Sequence, residues 1–406
     1  MLSLGDIQAA RARIRDGIAP TPCSVSVPLS ELTGCRVYTK DEHLQRTGSF
    51  KERGARNALM LLSAEQRRRG VIAASAGNHA LGLAYHGGLL GIPVTVVMPV
   101  NAPLIKASTC KRLGARVLLH GESFADARAH ADALARTEAL TYIHGFDSAE
   151  VIAGQGTVGL EVLEEVPDVE AIVVPVGGGG LLAGVAAAVK ALRPEVRVLG
   201  VEPEQAASFS AALAAGAPTV VDTRPTLADG LAVSRVGDLA FALAAPRIDG
   251  MTTVDEEALA LAIFRLLELE KCVVEGAAAA SLAALLRGRF PPLAGKRVVL
   301  ILSGGNIDLN ILDRVIEVGL VADGRLCRFT AVISDRPGAL ARLAALIAGT
   351  GASVKDITHD RIFSGPDVSR VRATCVVETA DEEHVGRLLR AIRDAGIEIV
   401  SASPAR

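Results

Sequence analysis

The sequence predicts an α/β protein with parallel sheets covered by helices, followed by a small ferredoxin-like unit. Three observations lead there. Short aliphatic and β-branched runs alternate with longer helical patterns from residue 70 to about residue 318, the rhythm of parallel sheets covered on both faces. Half of the 406 residues are hydrophobic and only 3% are aromatic, so the core must be built from Ala, Val, Leu and Ile. From residue 328 the order changes to strand, helix, strand, strand, helix, strand, the ferredoxin-like βαββαβ order.

Taken in order, 70–74 reads as a strand, 78–90 as a helix, 93–98 as a strand and 103–113 as a helix. The rhythm continues with a strand over 116–119 and a helix over 124–138. It resumes with a strand over 171–176, a helix over 181–192 and a strand over 196–201. It closes with a strand over 297–302 and a helix near 308–318. Residues 319–326 read as a short connector. Then come a strand over 328–334 and an amphipathic helix over 337–348, with Pro337 near its first position and Gly338 permitting close backbone approach. Strands over 353–362 and 368–378 flank a polar turn, Ser364-Gly365-Pro366-Asp367. A helix over 381–395 and a last strand over 397–400 complete the unit.

Composition narrows the function. A formal net charge of −2 argues against a nucleic-acid surface. No uninterrupted apolar run of about 18 residues suggests a membrane span. The start, Met1-Leu2-Ser3-Leu4-Gly5-Asp6, lacks the basic-then-apolar signal pattern. The six cysteines (Cys23, Cys35, Cys110, Cys272, Cys327, Cys375) are scattered without C-x-x-C spacing. Reduced thiols in a cytoplasmic protein are expected, with neither structural zinc nor a disulfide framework.

Four runs carry chemistry: Thr47-Gly48-Ser49-Phe50-Lys51-Glu52-Arg53-Gly54-Ala55, Ser75-Ala76-Gly77-Asn78-His79, Gly177-Gly178-Gly179-Gly180-Leu181 and Ser303-Gly304-Gly305-Asn306. Each falls after an expected strand or at a helix start, where open α/β sheets place their ligands. Lys51 sits at the start of a helix, where the positive dipole end and partial burial favour the neutral amine. Arg53, two residues on, does not share its helix face. Four successive glycines let backbone N–H groups converge on an anion at a helix N-terminus. The same loop also matches G-x-G-x-x-A through Gly178, Gly180 and Ala183, with Glu202 about 20 residues on, so a dinucleotide stays open. On the residues alone Asn78 reads first as a helix N-cap, and His79 equally as a polar first-turn residue.

Together these runs resemble the threonine dehydratase and serine racemase branch of the fold-type II pyridoxal 5'-phosphate (PLP) enzymes over about residues 5–318. The stretch Asp335-Arg336-Pro337-Gly338-Ala339-Leu340 resembles the strand-to-helix turn of ACT regulatory domains. The resemblance implies a two-lobed, tryptophan-synthase-β-like catalytic domain over 1–320, with a small lobe near 45–150 inserted into a larger one, and an ACT domain over 326–403. Lys51 becomes the Schiff-base lysine and general base, with Phe50 beside the cofactor phosphate. Gly177, Gly178, Gly179, Gly180 and Leu181 take the phosphate, Asn78 the ring 3-oxygen and Ser303 the pyridine nitrogen. Ser75, Gly77, Asn78 and His79 hold the substrate. Glu275 approaches the site, and the loop around Asp229-Gly230 looks like a family loop without an assigned role.

The implied reaction is the threonine ammonia-lyase reaction, a carbon–nitrogen lyase step: L-threonine to 2-oxobutyrate and ammonia, with L-serine to pyruvate as a secondary activity. The cofactor phosphate is expected to protonate the leaving hydroxyl. A neutral partner such as Ser303 leaves the pyridine essentially uncharged, which favours prompt β-elimination over transamination. Serine racemase is the nearest alternative, but its second acid–base serine corresponds to Ala76 here. Of the racemase-type divalent-metal ligands Glu202 matches one, while Ser208 stands where an Asp is expected, so no metal is assigned. A 3-hydroxyaspartate ammonia-lyase and, more remotely, an NAD-dependent oxidoreductase complete the alternatives. The ACT unit implies isoleucine biosynthesis, an isoleucine or valine effector near Asp335, Arg336, Gly338 and Leu340, and a homodimer or homotetramer.

Overall fold

The strands are β1 (Cys23–Ser26), β2 (Arg36–Lys40), β3 (Val71–Ala74), β4 (Val94–Met98), β5 (Arg116–Leu119), β6 (Thr141–Tyr142), β7 (Ala171–Pro175), β8 (Arg197–Pro203), β9 (Gly250–Val254), β10 (Arg297–Ile301), β11 (Leu326–Ser334), β12 (Ser353–Asp360), β13 (Arg370–Glu378) and β14 (Glu398–Ser403). They come from a computed structural model that describes residues 2–102, 104–290, 293–360 and 369–403. The expected turn at 364–367, the adjoining strand ends at 361–362 and 368, and the expected helix start at Pro103 lie outside the described residues.

The chain divides into two units, Met1–Ile307 and Asp308–Arg406. The first holds two sheets. One has the order β1-β2-β10-β7-β8-β9 and is parallel except for β1, which runs antiparallel to β2. The other, β5-β4-β3-β6, is parallel throughout. Every residue of β3, β4 and β7 is buried, as helices on both faces of a parallel sheet require. The crossover helices that cover the sheets bring the strand ends carrying the four motifs to one cavity.

Three helices of this unit interlock through glycine. The helix Ala149–Glu165 packs against Lys51–Met60 on one side and Gly180–Leu192 on the other. A Cβ on Gly154 would fall 2.6 Å from the carbonyl oxygen of Arg53, and one on Gly184 would fall 2.5 Å from the amide nitrogen of Gly156. Backbone therefore meets backbone where any side chain would hold the helices apart. Beside this contact lies a buried ionic cluster. Arg53, only 1% exposed, donates to both oxygens of Glu42 at 2.7 Å and to Glu161. Lys40, fully buried, donates to the Thr21 carbonyl and pairs with Glu161 and Glu165. Burial opposes the charge on Glu161, yet its Arg53 and Lys40 partners hold its carboxyl below the usual range.

In the second unit the order is β12-β13-β11-β14, antiparallel, with helices Ala339–Gly349 and Glu382–Asp394 in the βα and βα crossovers. This is the ferredoxin-like arrangement. One face of β11 is buried at Cys327, Phe329, Ala331 and Ile333, packed with Leu343, Ile347, Leu388 and Ile392. Two local expectations fail. The helix Leu309–Ala322 runs through the first half of the stretch read as a connector and falls in the second unit, leaving a tight turn in which Gly324 takes φ +65°. The helix expected from Pro337 begins at Ala339. Gly338 precedes it with φ +91°, a conformation closed to most L residues, so Pro337 lies outside the first turn. All six cysteines are free. Among the described residues no helix is long and apolar enough to cross a membrane.

Candidate active site

Lys51 opens the helix Lys51–Met60, at the mouth of the loop that joins it to Thr47. That loop is tied to the turn after β10: Phe50 N–H donates to the Ser303 carbonyl at 3.1 Å, and Gly305 N–H donates to the Gly48 carbonyl at 2.9 Å. The Lys51 amine donates to the carbonyl of Gly145 at 2.8 Å and lies 5.1 Å from the centre of the Phe50 ring. Burial pushes the amine down to about 8, with the Glu275 carboxyl pulling the other way. The side chain of Arg53 turns into its ionic cluster, away from Lys51, as the helix spacing requires.

A cavity of about 530 Å³ adjoins the amine, and the site residues proposed from sequence all line it: Phe50, Lys51, Ser75, Gly77, Asn78, His79, Gly177, Gly178, Gly179, Gly180, Leu181 and Ser303. The glycine loop follows β7. Gly179 takes φ +90° and caps the helix Gly180–Leu192, whose first N–H groups have no acceptor within the helix. A Cβ on Gly178 would fall 2.3 Å from the Phe146 ring, and one on Gly180 would fall 2.6 Å from the Phe146 carbonyl oxygen. Only bare backbone fits there, and it presents a helix N-terminus suited to an anion.

The loop Ser75–His79 follows β3. Ser75 N–H donates to the Val97 carbonyl at 3.1 Å, and Gly77 N–H to the Ser75 hydroxyl at 3.3 Å. Gly77, not Asn78, holds the N-cap position of the helix Asn78–Leu90, so the N-cap reading of Asn78 fails. Its side chain donates instead to Glu275, at 2.8 and 3.1 Å from the two carboxyl oxygens, and accepts from Asn306 at 2.8 Å. His79 is buried, and its Nε2 donates to the Ile143 carbonyl at 3.0 Å. Burial first, then Lys51, push it down to about 3, so the ring is neutral with a free lone pair on Nδ1. Nδ1 is buried without a partner. Ser303 ends the β10 turn at 2% exposure. Burial pushes Glu275 up to about 7; Asn78 opposes the shift, Asp229 adds to it, and Lys106 and Lys51 oppose it.

Sequence reasoning missed several lining residues: Lys106, Arg128, Tyr142, His144, Phe146 and Arg235. The Arg128 guanidinium lies 4.0 Å over the Tyr142 ring and donates to Asp132 at 2.9 Å. His144 Nδ1 accepts from the amides of Phe146 and Asp147 at 3.3 and 2.9 Å, and burial, then Arg128, push the ring down to about 4. Lys106 reaches Asp229 at 3.4 Å, which gives the loop without an assigned role an ionic contact at the cavity. None of these sits in a motif; tertiary approach alone assembles them.

Glu202 does not line the cavity. It is buried on β8, where its oxygens accept the amides of Phe209 and Ser210 at 2.9 and 2.8 Å and seat the helix Ser208–Ala215. The acid that the dinucleotide spacing requires therefore serves the protein's own backbone. Among the described residues no cluster of three or more His, Cys, Asp or Glu side chains could hold a metal. In the second unit Asp335, Arg336, Gly338 and Leu340 gather at the turn between β11 and the helix Ala339–Gly349, with Asp335 N–H donating to the Ser369 carbonyl at 2.9 Å. The catalytic cavity fits a phosphate-bearing aldehyde: a bare backbone cradle at a helix start, an amine with a lowered proton affinity, and an orphaned acceptor on His79.

Comparison with known proteins agrees. A model described as "Pyridoxal-phosphate dependent enzyme" matches residues 14–304. The L-threonine ammonia-lyase of Thermotoga maritima is 45% identical over 399 residues, which span 98% of this chain and 99% of that protein, the second unit included. The processed form of threonine deaminase isoform 2 from Solanum lycopersicum superposes with a TM-score of 0.74 at 38% identity, covering 78% of this chain and 86% of that one. Maize serine racemase superposes with a TM-score of 0.74 at 34% identity, covering 78% and 98%.

Proposed function

We propose that this chain, which belongs to the pyridoxal-phosphate dependent enzyme family, deaminates L-threonine to 2-oxobutyrate and ammonia by β-elimination. The observation that carries the reading is the Lys51 amine, bonded to a neutral carbonyl in the wall of the cavity that the glycine-headed helix also lines. Pyridoxal phosphate, when bound there, supplies an aldehyde for the amine and a ring that withdraws electrons from the substrate Cα.

The chain's residues do the rest. The amides at the head of Gly180–Leu192 would seat the phosphate, and Lys51 would hold the cofactor covalently. The amides of the Ser75–His79 loop, at the head of their own helix, take the substrate carboxylate. Lys51 Nζ would remove the Cα proton as general base. Ser303 would offer the ring nitrogen a hydroxyl rather than a carboxylate, a partner that suits a neutral ring and loss of the β-hydroxyl. The released 2-aminobutenoate tautomerises and hydrolyses in water. The water lost at Cβ is returned in the hydrolysis, so the net change is loss of ammonia alone.

Racemisation needs a proton carrier on each face of Cα. The Ser75–His79 loop contributes only a methyl group at Ala76, which lines the cavity. The reading is tested by incubating purified holoenzyme with L-threonine, L-serine and 3-hydroxyaspartate and assaying 2-oxo acid, ammonia and D-serine. Ketoacid from threonine at the highest kcat/KM supports it. D-Serine as the main product from L-serine, or a preference for hydroxyaspartate, overturns it.

The second unit, as an ACT domain, binds an amino-acid effector at the turn holding Asp335, Arg336, Gly338 and Leu340, with isoleucine the first ligand to test and valine the second. A dimer or tetramer would pair these turns. An effector regulates only if it binds two conformations unequally. Arg336→Ala is therefore expected to shift the isoleucine response and spare the basal rate. An unaltered response removes this turn from the effector site. Free cysteines and the absence of a membrane-length apolar helix among the described residues support a cytoplasmic place for the enzyme.

A further inference from the structure

Amide oxygen and nitrogen look alike, so the orientation of Asn78 has to be argued from its partners. Asn306 settles it. Its Nδ2 lies 2.7 Å from the Thr47 carbonyl oxygen and 2.8 Å from the Asn78 side-chain amide. A backbone carbonyl can only accept, so the Asn306 group facing Thr47 is the NH2. One of its hydrogens goes to Thr47 and the other to Asn78, so the Asn78 atom that it meets is the oxygen. The remaining end of Asn78 is then its NH2, and it faces the Glu275 carboxyl at 2.8 and 3.1 Å. The bonds diverge from the Asn306 NH2, ending on the Thr47 carbonyl on one side and, through Asn78, on the Glu275 carboxyl on the other.

Glu275 is held in turn. Its backbone N–H donates to the Gly304 carbonyl at 3.0 Å. A Cβ on Gly304 would fall 2.4 Å from Glu275 Oε1 and 3.2 Å from Asn78 Nδ2, so the carboxyl occupies space that only glycine leaves open. The residue is 5% exposed and stands at the head of the helix Gly276–Leu286 without capping it. The charged groups around it are Asp229 from the 229–231 turn, Lys106 from the helix Leu104–Arg112 and Lys51. Asn78 Nδ2 meets both carboxyl oxygens, and Asn78 also lines the cavity.

We infer that Glu275 and Asn306 are positioning residues that act through Asn78, fixing its side-chain amide so that an N–H rather than an oxygen is presented to the bound cofactor. The inference rests on reading the cavity as the pyridoxal phosphate site. Asn306 touches neither cavity nor substrate in this scheme. Its action is to forbid the inverted amide, which would set the Asn78 NH2 against the Asn306 NH2.

The test uses the full-length holoenzyme and reads the visible absorption band of the bound cofactor together with kcat and KM for threonine. Asn306→Asp replaces the double donor by an acceptor of the same size and should turn the Asn78 amide over. The band is then displaced and kcat falls about 10-fold or more, with KM changed less than kcat. Glu275→Leu should act in the same direction. Glu275→Gln restores an acceptor for Asn78 and should recover the wild-type band, with kcat at least about 10-fold above the Leu variant. A wild-type band in Asn306→Asp, or equal losses in the Gln and Leu variants, overturns the inference. If Glu275→Leu fails to fold, Asn306→Asp still decides it. A wild-type protein that shows no cofactor band at all refutes the cofactor reading instead, so the two failures are separable.

Discussion

Lys51 Nζ lies 2.8 Å from the carbonyl oxygen of Gly145. A neutral acceptor orients the amine without the full charge that a carboxylate would use to hold its proton. Burial acts in the same direction and brings the amine down to about 8 from an ordinary 10.5. Only the unprotonated amine attacks an aldehyde, so covalent capture of the cofactor by the apoprotein should accelerate with rising pH and level off above a midpoint near 8. An unshifted lysine would be less than about 1% neutral at that pH. Stopped-flow absorbance across pH 6–11, roughly the span of both values, checks this. A midpoint near 10 would show that the amine is solvated in solution.

Lys51→Ala removes both the covalent anchor and the base. Turnover of threonine should fall by about 10³-fold or more, and borohydride should fix no cofactor on the protein. Peptide mapping of the reduced wild-type enzyme should find the label at position 51. A label on another lysine would assign the chemistry elsewhere.

Gly178→Ala drives a methyl group against the Phe146 ring, and Gly180→Ala drives one against the Phe146 backbone. The ring can swing only into the cavity, and the backbone cannot yield cheaply. Both variants should bind pyridoxal phosphate at least about 10-fold more weakly, or about 1.4 kcal/mol, with Gly180→Ala the worse of the two. Equilibrium titration of the apoprotein measures it. Wild-type affinity in either variant would remove the loop from the phosphate seat.

Glu275 links the site to stability. Its folded value near 7 lies above the ordinary 4.5. Between those values the folded chain binds a proton that the unfolded chain has lost, so this group's contribution to stability falls as pH rises from about 4.5 to 7. The full effect is on the order of 3 kcal/mol. Glu275→Gln should flatten that part of the pH–stability curve of the apoprotein and gain stability above pH 7, the value at which wild type has lost it. Urea midpoints across the range decide it; parallel curves for the two proteins would mean that Glu275 is ionised throughout.

Arg53→Met leaves Glu42, fully buried, without its bidentate partner. A loss of roughly 3–5 kcal/mol is expected. The double variant Arg53→Met with Glu42→Gln should recover part of it, because no uncompensated charge remains. Additive losses in a double-mutant cycle would show that the pair does not couple.

The four motifs were legible because each is local: a strand end, a glycine or small-residue turn and a helix start lie within a few residues, and backbone chemistry alone brings them to the carboxyl edge of a sheet. Asn78 was ambiguous in sequence because Asn serves both as a helix cap and as a side-chain bridge; only the approach of Asn306, 228 residues away, resolves it. Glu202 sat at a suggestive spacing, yet spacing cannot tell an acid that faces a ligand from one that faces the amides of Phe209 and Ser210. Arg128, His144 and Lys106 carried no local signal at all. Helical periodicity predicts which element holds them but not which cavity the tertiary fold turns them toward. The connector at 319–326 was misread because Gly319-Leu320-Val321-Ala322 looks like a helix exit, while the last turn continues to Ala322.

The glycine contacts at positions 154 and 184 tie the helix that begins with Lys51 to the helix that begins at the glycine loop, through a third helix between them. Main chain rests on main chain there, with no rotamer to relax and no methylene to trim. The span from Lys51 to the glycine loop is thereby a property of the scaffold, as in a vernier whose jaws are cut from one block. Changes of preference are then expected at lining residues outside the frame, such as Arg128, since mutations in the frame would throw the two jaws out of gauge together.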